Sequence, residues 1–290
     1  MLASLINGEP DEMIPVSDRG FHYGDGVFET VRIANRQATL WPLHQKRLDA
    51  GCDFLNIPLQ LELLEQDLQR ILMANEPEGI VKIILSRGSG GRGYQAPENL
   101  TPLRVVQFFP LPEGIDDTRK QGARVKVCNH PLSRNHHLVR FKHLCRIDQV
   151  IASSELSDAF SEGIMQTEQG QVVEGTRSNL FLAKGSDNDN GREKNREKDR
   201  VLITPALDSA GIKGVMREYL LDRFADRGIA VLEQEVDLPE LLNANEIFLC
   251  NSVVGVMPIT ELVNGEVAKQ LQIGQFTETA GGFADEAFAL

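Results

Sequence analysis

Residues 110–122, PLPEGIDDTRKQG, carry two prolines, two glycines and five charged side chains, and the pattern of the chain differs on either side of them. Proline removes a backbone donor and glycine relaxes φ, so neither a helix interior nor a central strand suits such a density of both. We read the segment as an interdomain linker, with a first domain over 1–115 and a second over 116–290. A length of 290 residues usually yields two domains of ordinary size, or one large one.

The first part mixes two periodicities. A short strand, a turn at Asn7-Gly8 and a Gly-rich stretch from Asp18 to Gly26 lead into Val27–Ile33, which alternates as a strand does. A hairpin turn follows at Asn35-Arg36-Gln37. The spacing then predicts helices over 43–55 and 60–74, the second with Leu61, Leu64, Leu68, Ile71 and Leu72 on one face. Two β-rich runs, 80–85 and 103–109, flank a loop of glycines and serines over 86–93.

Beyond the linker, strands are expected at 124–128, 162–167, 171–183, 200–204, 229–236 and 246–250. Helices are expected over 144–159, with Ile147, Val150 and Ile151 facing inward, and from 212 to about 226, with Ile212, Val215, Met216, Leu220 and Phe224 inward. The fold class is α/β in the broad sense (α+β). Residues 185–200, GSDNDNGREKNREKDR, contain no apolar side chain and read as a solvated hairpin loop.

A formal charge of -12 argues against nucleic acid, because phosphate-backbone contacts need clustered Lys and Arg. A small anionic substrate stays compatible, since an acidic protein can hold a local basic pocket. Neither a basic n-region with an apolar run behind it nor an apolar stretch of membrane-spanning length occurs, so a cytoplasmic protein without membrane contact is expected. The four cysteines Cys52, Cys128, Cys145 and Cys250 are widely spaced and read as buried small hydrophobes. His136, His137 and His143 lack zinc-ligand spacing, so no metal is expected.

Of ten lysines, Lys142 stands apart, embedded in Leu138-Val139-Arg140-Phe141-Lys142-His143-Leu144 with Arg140, His143 and Arg146 for neighbours. A desolvated lysine beside other cations is a better amine nucleophile towards an aldehyde. A surface lysine at a helix cap has the same spacing signature. Two Gly-rich stretches are candidates for cradling phosphate on backbone N–H groups. The 86–93 loop lacks Walker spacing, whereas Asp208–Gly214 opens a helical pattern and offers the N–H groups of Ile212 and Lys213. Glu174, at the end of an apolar β run, is either solvent-facing or an anchor for a buried cation such as a pyridinium nitrogen. Asp25, between two glycines, is read as a turn residue that satisfies backbone N–H groups.

The order of these segments is more informative than any one of them. Gly24-Asp25-Gly26-Val27-Phe28-Glu29, His44-Gln45-Lys46-Arg47-Leu48, Lys142, Glu174-Gly175-Thr176-Arg177-Ser178-Asn179, Ala210-Gly211-Ile212-Lys213-Gly214 and Asn251-Ser252 together resemble the class IV aminotransferase family. That family includes branched-chain and D-amino-acid aminotransferases and 4-amino-4-deoxychorismate lyases. Within it, Ser86–Tyr94, Phe141–Leu144 and Asn251–Pro258 look most like the lyases.

The resemblance implies a D-amino-acid aminotransferase-like fold of two domains. The smaller N-terminal one is α/β; the larger C-terminal one is β-barrel-like with helices and carries the Schiff-base lysine. It implies pyridoxal 5′-phosphate as cofactor, a homodimer, and 4-amino-4-deoxychorismate as substrate, with a branched-chain or D-amino-acid transaminase as the alternative. Lys142 is implied to attach the cofactor, Glu174 to pair with its pyridine nitrogen, and Arg47, Ile212, Lys213 and Ser252 to hold its phosphate. Ile147 stands where transaminases of the family often place a tyrosine that bonds the cofactor O3′. For the substrate, the candidates are Arg92 and Arg87 on the Gly-rich loop, with Thr30 and Asn251.

Overall fold

A computed structural model describes residues 3–139, 141–185 and 200–289. Arg140 and most of the charged insert, 186–199, lie outside the described residues. The chain divides into two compact units, one of Met1–Glu113, Arg140–Arg146 and Ala287–Leu290, the other of Gly114–Val139 and Ile147–Glu286. This division differs from the one expected at 115/116. The short segment that carries Lys142 returns to the first unit, so the lysine belongs there and not to the larger C-terminal unit.

The first unit is built on strands β1 (Ser4–Ile6), β2 (Gly26–Ala34), β3 (Gln37–Ala38), β4 (Gly79–Ser86) and β5 (Leu103–Phe109). They form an antiparallel sheet in the order β1-β5-β4-β2-β3. Asn35 and Arg36 both have positive φ, which gives the β2–β3 turn the twist a two-residue hairpin needs. Helix α1 (Arg19–Tyr23) starts at Asp18, whose carboxylate accepts from Phe21 N, and stops at Gly24 in the left-handed region. Helices α2 (Trp41–Leu55) and α3 (Leu61–Ala74) lie against the sheet. Leu64, Leu68, Ile71 and Leu72 form the buried stripe of α3, as their spacing predicts.

In the second unit the expected linker is mostly helix. Ile115–Gln121 form α4, ended by Gly122, and two acids in its first turn and two bases in its last complement the helix dipole. Gly114 and Gly122, which suggest a linker by composition, here cap the helix at both ends. Strands β6 (Ala123–Val127), β7 (Glu162–Gln166), β8 (Gln171–Gly175), β9 (Asn179–Lys184), β10 (Val201–Pro205), β11 (Val231–Gln234), β12 (Val236–Asp237), β13 (Glu246–Asn251), β14 (Gly255–Asn264) and β15 (Val267–Gln270) form one sheet. Its order is β11-β10-β9-β13-β14-β6-β7-β8-β12, with β15 on β14. The sheet curls, because β8 and β9 stand far apart in that order yet touch where a tight turn joins them. The curl encloses a core of Val125, Ile164, Leu180, Leu182, Ile247, Leu249 and their neighbours. Helices α5 (Ile147–Ser154), α6 (Val215–Asp226), α7 (Leu238–Asn243) and α8 (Gln275–Phe288) complete the described elements.

Two helical expectations need correction. Helix α5 starts at Ile147, not 144, and its apolar residues face outward: Ile147, Val150 and Ile151 are 65%, 60% and 39% exposed, while Ala152 is buried. Periodicity identifies an apolar face but not the direction in which it points. Helix α6 begins only at Val215, so Ile212 and Lys213 precede it. Among the described residues, no helix is long and apolar enough to cross a membrane.

Candidate active site

In the first unit, Lys142 is placed by main-chain bonds rather than by a cap. Phe28 N donates to Lys142 O (2.9 Å) and Leu144 N to Gly26 O (3.0 Å), with Val27 bridged to His143. The 142–144 segment thus extends the sheet along the start of β2, and helix α5 cannot begin until it has left that edge. Lys142 Nζ lies 4.5 Å from the centre of the Phe28 ring, and Lys82 Nζ lies 5.6 Å from it. Thr30 shares the half-buried face of β2 with Phe28, since strand side chains alternate.

The opposite face of β2 is buried at Val27, Glu29, Val31 and Ile33. Glu29 survives there because two residues one turn apart on α2 satisfy it. Arg47 donates to it through Nε (2.7 Å) and Nη2 (2.6 Å), and His44 Nδ1 lies 2.7 Å from Oε2. Burial alone would raise the Glu29 carboxyl, but the charge and hydrogen bonds of Arg47, aided by His44, bring it down to about 2. An ionised carboxylate only accepts, so His44 carries its proton on Nδ1. Burial also lowers the His44 pKa, and Nε2 is left inside without a partner. The cluster is therefore a neutral His on a Glu–Arg pair, which orients the Arg47 guanidinium rigidly. Burial, with the charges of Arg146 and Lys142, brings His143 down to about 4, so this neighbour of Lys142 is neutral near pH 7.

The substrate candidates fare differently from one another. Arg87 donates to both carboxylate oxygens of Asp25 (2.8 and 3.0 Å) and to the carbonyls of Leu55 (2.6 Å) and Asn56 (3.1 Å). It fastens the end of α2 to the turn before β2, so its guanidinium, expected on the substrate, is engaged within the protein. Asp25 also takes Arg19 Nε (2.8 Å), so it is structural, through side-chain ion pairs rather than the backbone groups expected. Arg92 is exposed on the Gly-rich loop, which Arg19 tethers by bonds to Gly93 O (3.1 Å) and Tyr94 O (2.7 Å).

In the second unit, Glu174 is buried at the end of β8 and its Oε2 accepts from Ile212 N at 2.8 Å. The expectation of a free N–H at Ile212 is thereby corrected. Asn179 Nδ2 donates to Ile212 O (2.8 Å), so the peptides flanking Ile212 are gripped from both sides. Ser252 sits half-buried in the turn between β13 and β14, and Lys213 is exposed. Asn251, expected on the substrate, has its side chain engaged in that turn: Nδ2 donates to Ser178 Oγ (3.0 Å) and Oδ1 accepts from the N–H of Val253 (2.9 Å) and Val254 (2.8 Å). Ile147, at the expected O3′ position, brings no polar atom.

These residues suit pyridoxal phosphate. Glu174 lies beside an apolar cluster of Met165, Val173, Leu207 and Ala210, where a carboxylate gains from a cationic ring nitrogen. Gly211 has φ +88°, and a Cβ there would come within 2.7 Å of Val173, 2.9 Å of Leu207 and 3.1 Å of Glu174 Oε2, so glycine keeps open the space next to the carboxylate. Sequence reading assigned no role to Phe28, Glu29, His44 or Lys82. The signal for Glu29 was present: an acid in the inward register of an alternating strand must have a buried partner.

Comparison with known proteins identifies the family. The family model "Amino-transferase class IV" matches residues 26–262. An aminodeoxychorismate lyase of Vibrio harveyi is 31% identical over 278 residues, 96% of this chain and 97% of that one. A putative branched-chain-amino-acid aminotransferase of Methanocaldococcus jannaschii is 27% identical over 93% of this chain and 89% of its own. A crystal structure of 4-amino-4-deoxychorismate lyase from Pseudomonas aeruginosa superposes with a TM-score of 0.87, at 34% identity and 98% coverage of both chains. With the family model matched over most of its length and relatives aligned over nearly all of it, the chain belongs to the class IV aminotransferase family.

Proposed function

We propose that this chain is a pyridoxal-phosphate-dependent lyase that converts 4-amino-4-deoxychorismate into p-aminobenzoate and pyruvate. The observation that carries the reading is the setting of Lys142. Its amine rests on the Phe28 ring and its backbone is bonded to β2, in a chain that resembles lyases from end to end.

When bound, pyridoxal phosphate supplies an aldehyde that captures amines and a protonated ring that withdraws electrons from the adjacent carbon. Lys142 is the amine that holds the aldehyde at rest. Its Nζ would also be the base for the proton on the substrate's amine-bearing carbon. Loss of that proton, cleavage of the ether C–O bond and protonation of the departing enolpyruvate give p-aminobenzoate and pyruvate without an oxidant or reductant. The Lys142 ammonium is the acid for that last proton. Aromatisation drives the reaction, so the protein's task is mainly to position groups and move protons.

Glu174 pairs with the ring nitrogen. Arg47, Ser252 and the N–H groups at Ile212 and Lys213 hold the phosphate. For Ile212 this requires an exchange, its N–H leaving Glu174 for the phosphate, which frees the carboxylate oxygen for the ring. Arg92, with Lys82 in place of Arg87, answers the substrate's carboxylates, and Thr30 lines the Phe28 face. We read the active form as a homodimer, consistent with the exposed apolar residues of α5.

A transaminase is the second reading, supported by the likeness to the M. jannaschii relative. Product analysis with aminodeoxychorismate generated in place separates the two. Equal amounts of p-aminobenzoate and pyruvate, lost in Lys142→Ala and formed at a raised KM in Arg92→Ala, are expected. Amino transfer to a 2-oxo acid with no aromatic product would move the chain to the transaminases.

A further inference from the structure

One turn in the second unit holds both stretches that carry proposed phosphate contacts. It joins β8 to β9 through Thr176, Arg177 and Ser178. At its β9 end Asn179 grips the Ile212 carbonyl, and Gly214 is required nearby because a Cβ there would collide with the Asn179 side chain. Ser178 accepts from Asn251, which closes the turn containing Ser252.

Beneath this turn lies Glu162 of β7, only 1% exposed. Its Oε1 accepts from Arg177 N (2.7 Å) and Thr176 Oγ1 (3.2 Å), and its Oε2 from Ser178 Oγ (2.9 Å) and Arg177 Nε (3.3 Å). Burial raises the Glu162 carboxyl above the usual glutamate range, yet each of these four partners has a proton to give. Such a carboxylate fixes the direction of the hydrogen bonds beyond it, since it accepts and does not donate. Ser178 gives its one proton to Glu162, which leaves its lone pairs for an amide N–H. Asn251 must then turn Nδ2 towards Ser178 and Oδ1 towards the N–H groups of Val253 and Val254. The direction of every link begins at Glu162.

We propose that Glu162 is a positioning residue for the cofactor-phosphate site, setting through Ser178 and Asn251 the turn that presents Ser252. The inference rests on the reading of Ser252 as a phosphate contact. It predicts a defect that depends on the phosphate and not on the aldehyde or the ring.

The test titrates apo-protein separately with pyridoxal phosphate and with pyridoxal, which lacks the phosphate, and follows the absorbance of the bound cofactor. Glu162→Gln keeps the volume but puts an amide where only acceptors belong; Ser178→Ala removes a single hydroxyl. Each is expected to bind pyridoxal phosphate about ten-fold more weakly, while pyridoxal affinity stays within about two-fold of wild type. Equal losses for both compounds would reveal general damage and overturn the proposal, as would unchanged pyridoxal phosphate affinity. If Glu162→Gln does not fold, Ser178→Ala decides by the same comparison. Ser252→Ala, measured alongside, isolates the underlying reading: a wild type that favours the phosphate form and a Ser252→Ala protein that still does so equally would refute the phosphate contact itself.

Discussion

Replacing Glu29 with Gln should destabilise the first unit by an amount that depends on pH in a definite sense. Glu29 is buried, with Arg47 and His44 as its partners, and its folded pKa of about 2 lies below the ordinary glutamate value of 4.5. A downward shift of that size corresponds to about 3 kcal/mol of stability. Because the folded value is the lower one, the contribution is complete above about pH 5 and is lost as pH falls through about 2. The gap between wild type and Glu29→Gln should therefore be about 3 kcal/mol at pH 7 and about 1 kcal/mol at pH 3. The chain has one tryptophan, Trp41, at the first turn of the helix that carries His44 and Arg47, so its fluorescence during urea unfolding reports this unit. A gap that stays constant between the two pH values, or one below about 1 kcal/mol at pH 7, would refute the claim that ionised Glu29 is bound more tightly in the folded state.

Gly211→Ala should cost about 2 kcal/mol in a thermal melt and weaken cofactor binding, because its φ of +88° disfavours a side chain and the new Cβ crowds Val173 and Glu174; an unchanged melt would argue against that crowding. With a thiol reagent near neutral pH, one of the four cysteines should react quickly and three only after denaturation. Cys145 is exposed, whereas burial raises Cys52 to about 12, Cys128 to about 11 and Cys250 to about 12. Two or more fast thiols in the native protein would contradict this assignment.

The strands and helices of the first unit were legible because their patterns are local: alternation over Val27–Ile33 and helical spacing over Leu64–Leu72 each name a buried face. The parts that escaped depend on partners distant in sequence. Nothing near Ile147 reveals that residues 142–144 pair with β2 and so delay the start of α5. The linker reading failed at 115–121 because Gly114 and Gly122 are helix caps, and a cap and a breaker have the same composition. At the site, motif order is what singles out Lys142 and Glu174, whereas Arg87, expected on the substrate, is engaged by Asp25. A cation on a Gly-rich loop suggests an anion site until Asp25 appears beside it. Asn251 is likewise engaged in its own turn, since an Asn within a motif can serve the backbone as readily as a ligand.

A common pattern underlies the residues proposed for chemistry. Lys142 is held by the Phe28 N–H on its carbonyl and by the bond of nearby Leu144 to Gly26, Glu174 by the N–H of Ile212, and the Ser252 turn by Asn251. For Lys142 and Ser252 the backbone is placed by contacts made outside the side chain that would act, whereas Glu174 is held through Oε2 itself. Truncating Lys142 or Ser252 should then remove function while leaving the local backbone in place. Truncating Asn251, Glu162 or Glu29 should displace a functional neighbour and lower stability together. Glu174 is the case where both roles meet on one atom. Its Oε2 accepts from the Ile212 N–H, and the proposed phosphate contact of that same N–H would require the two to part.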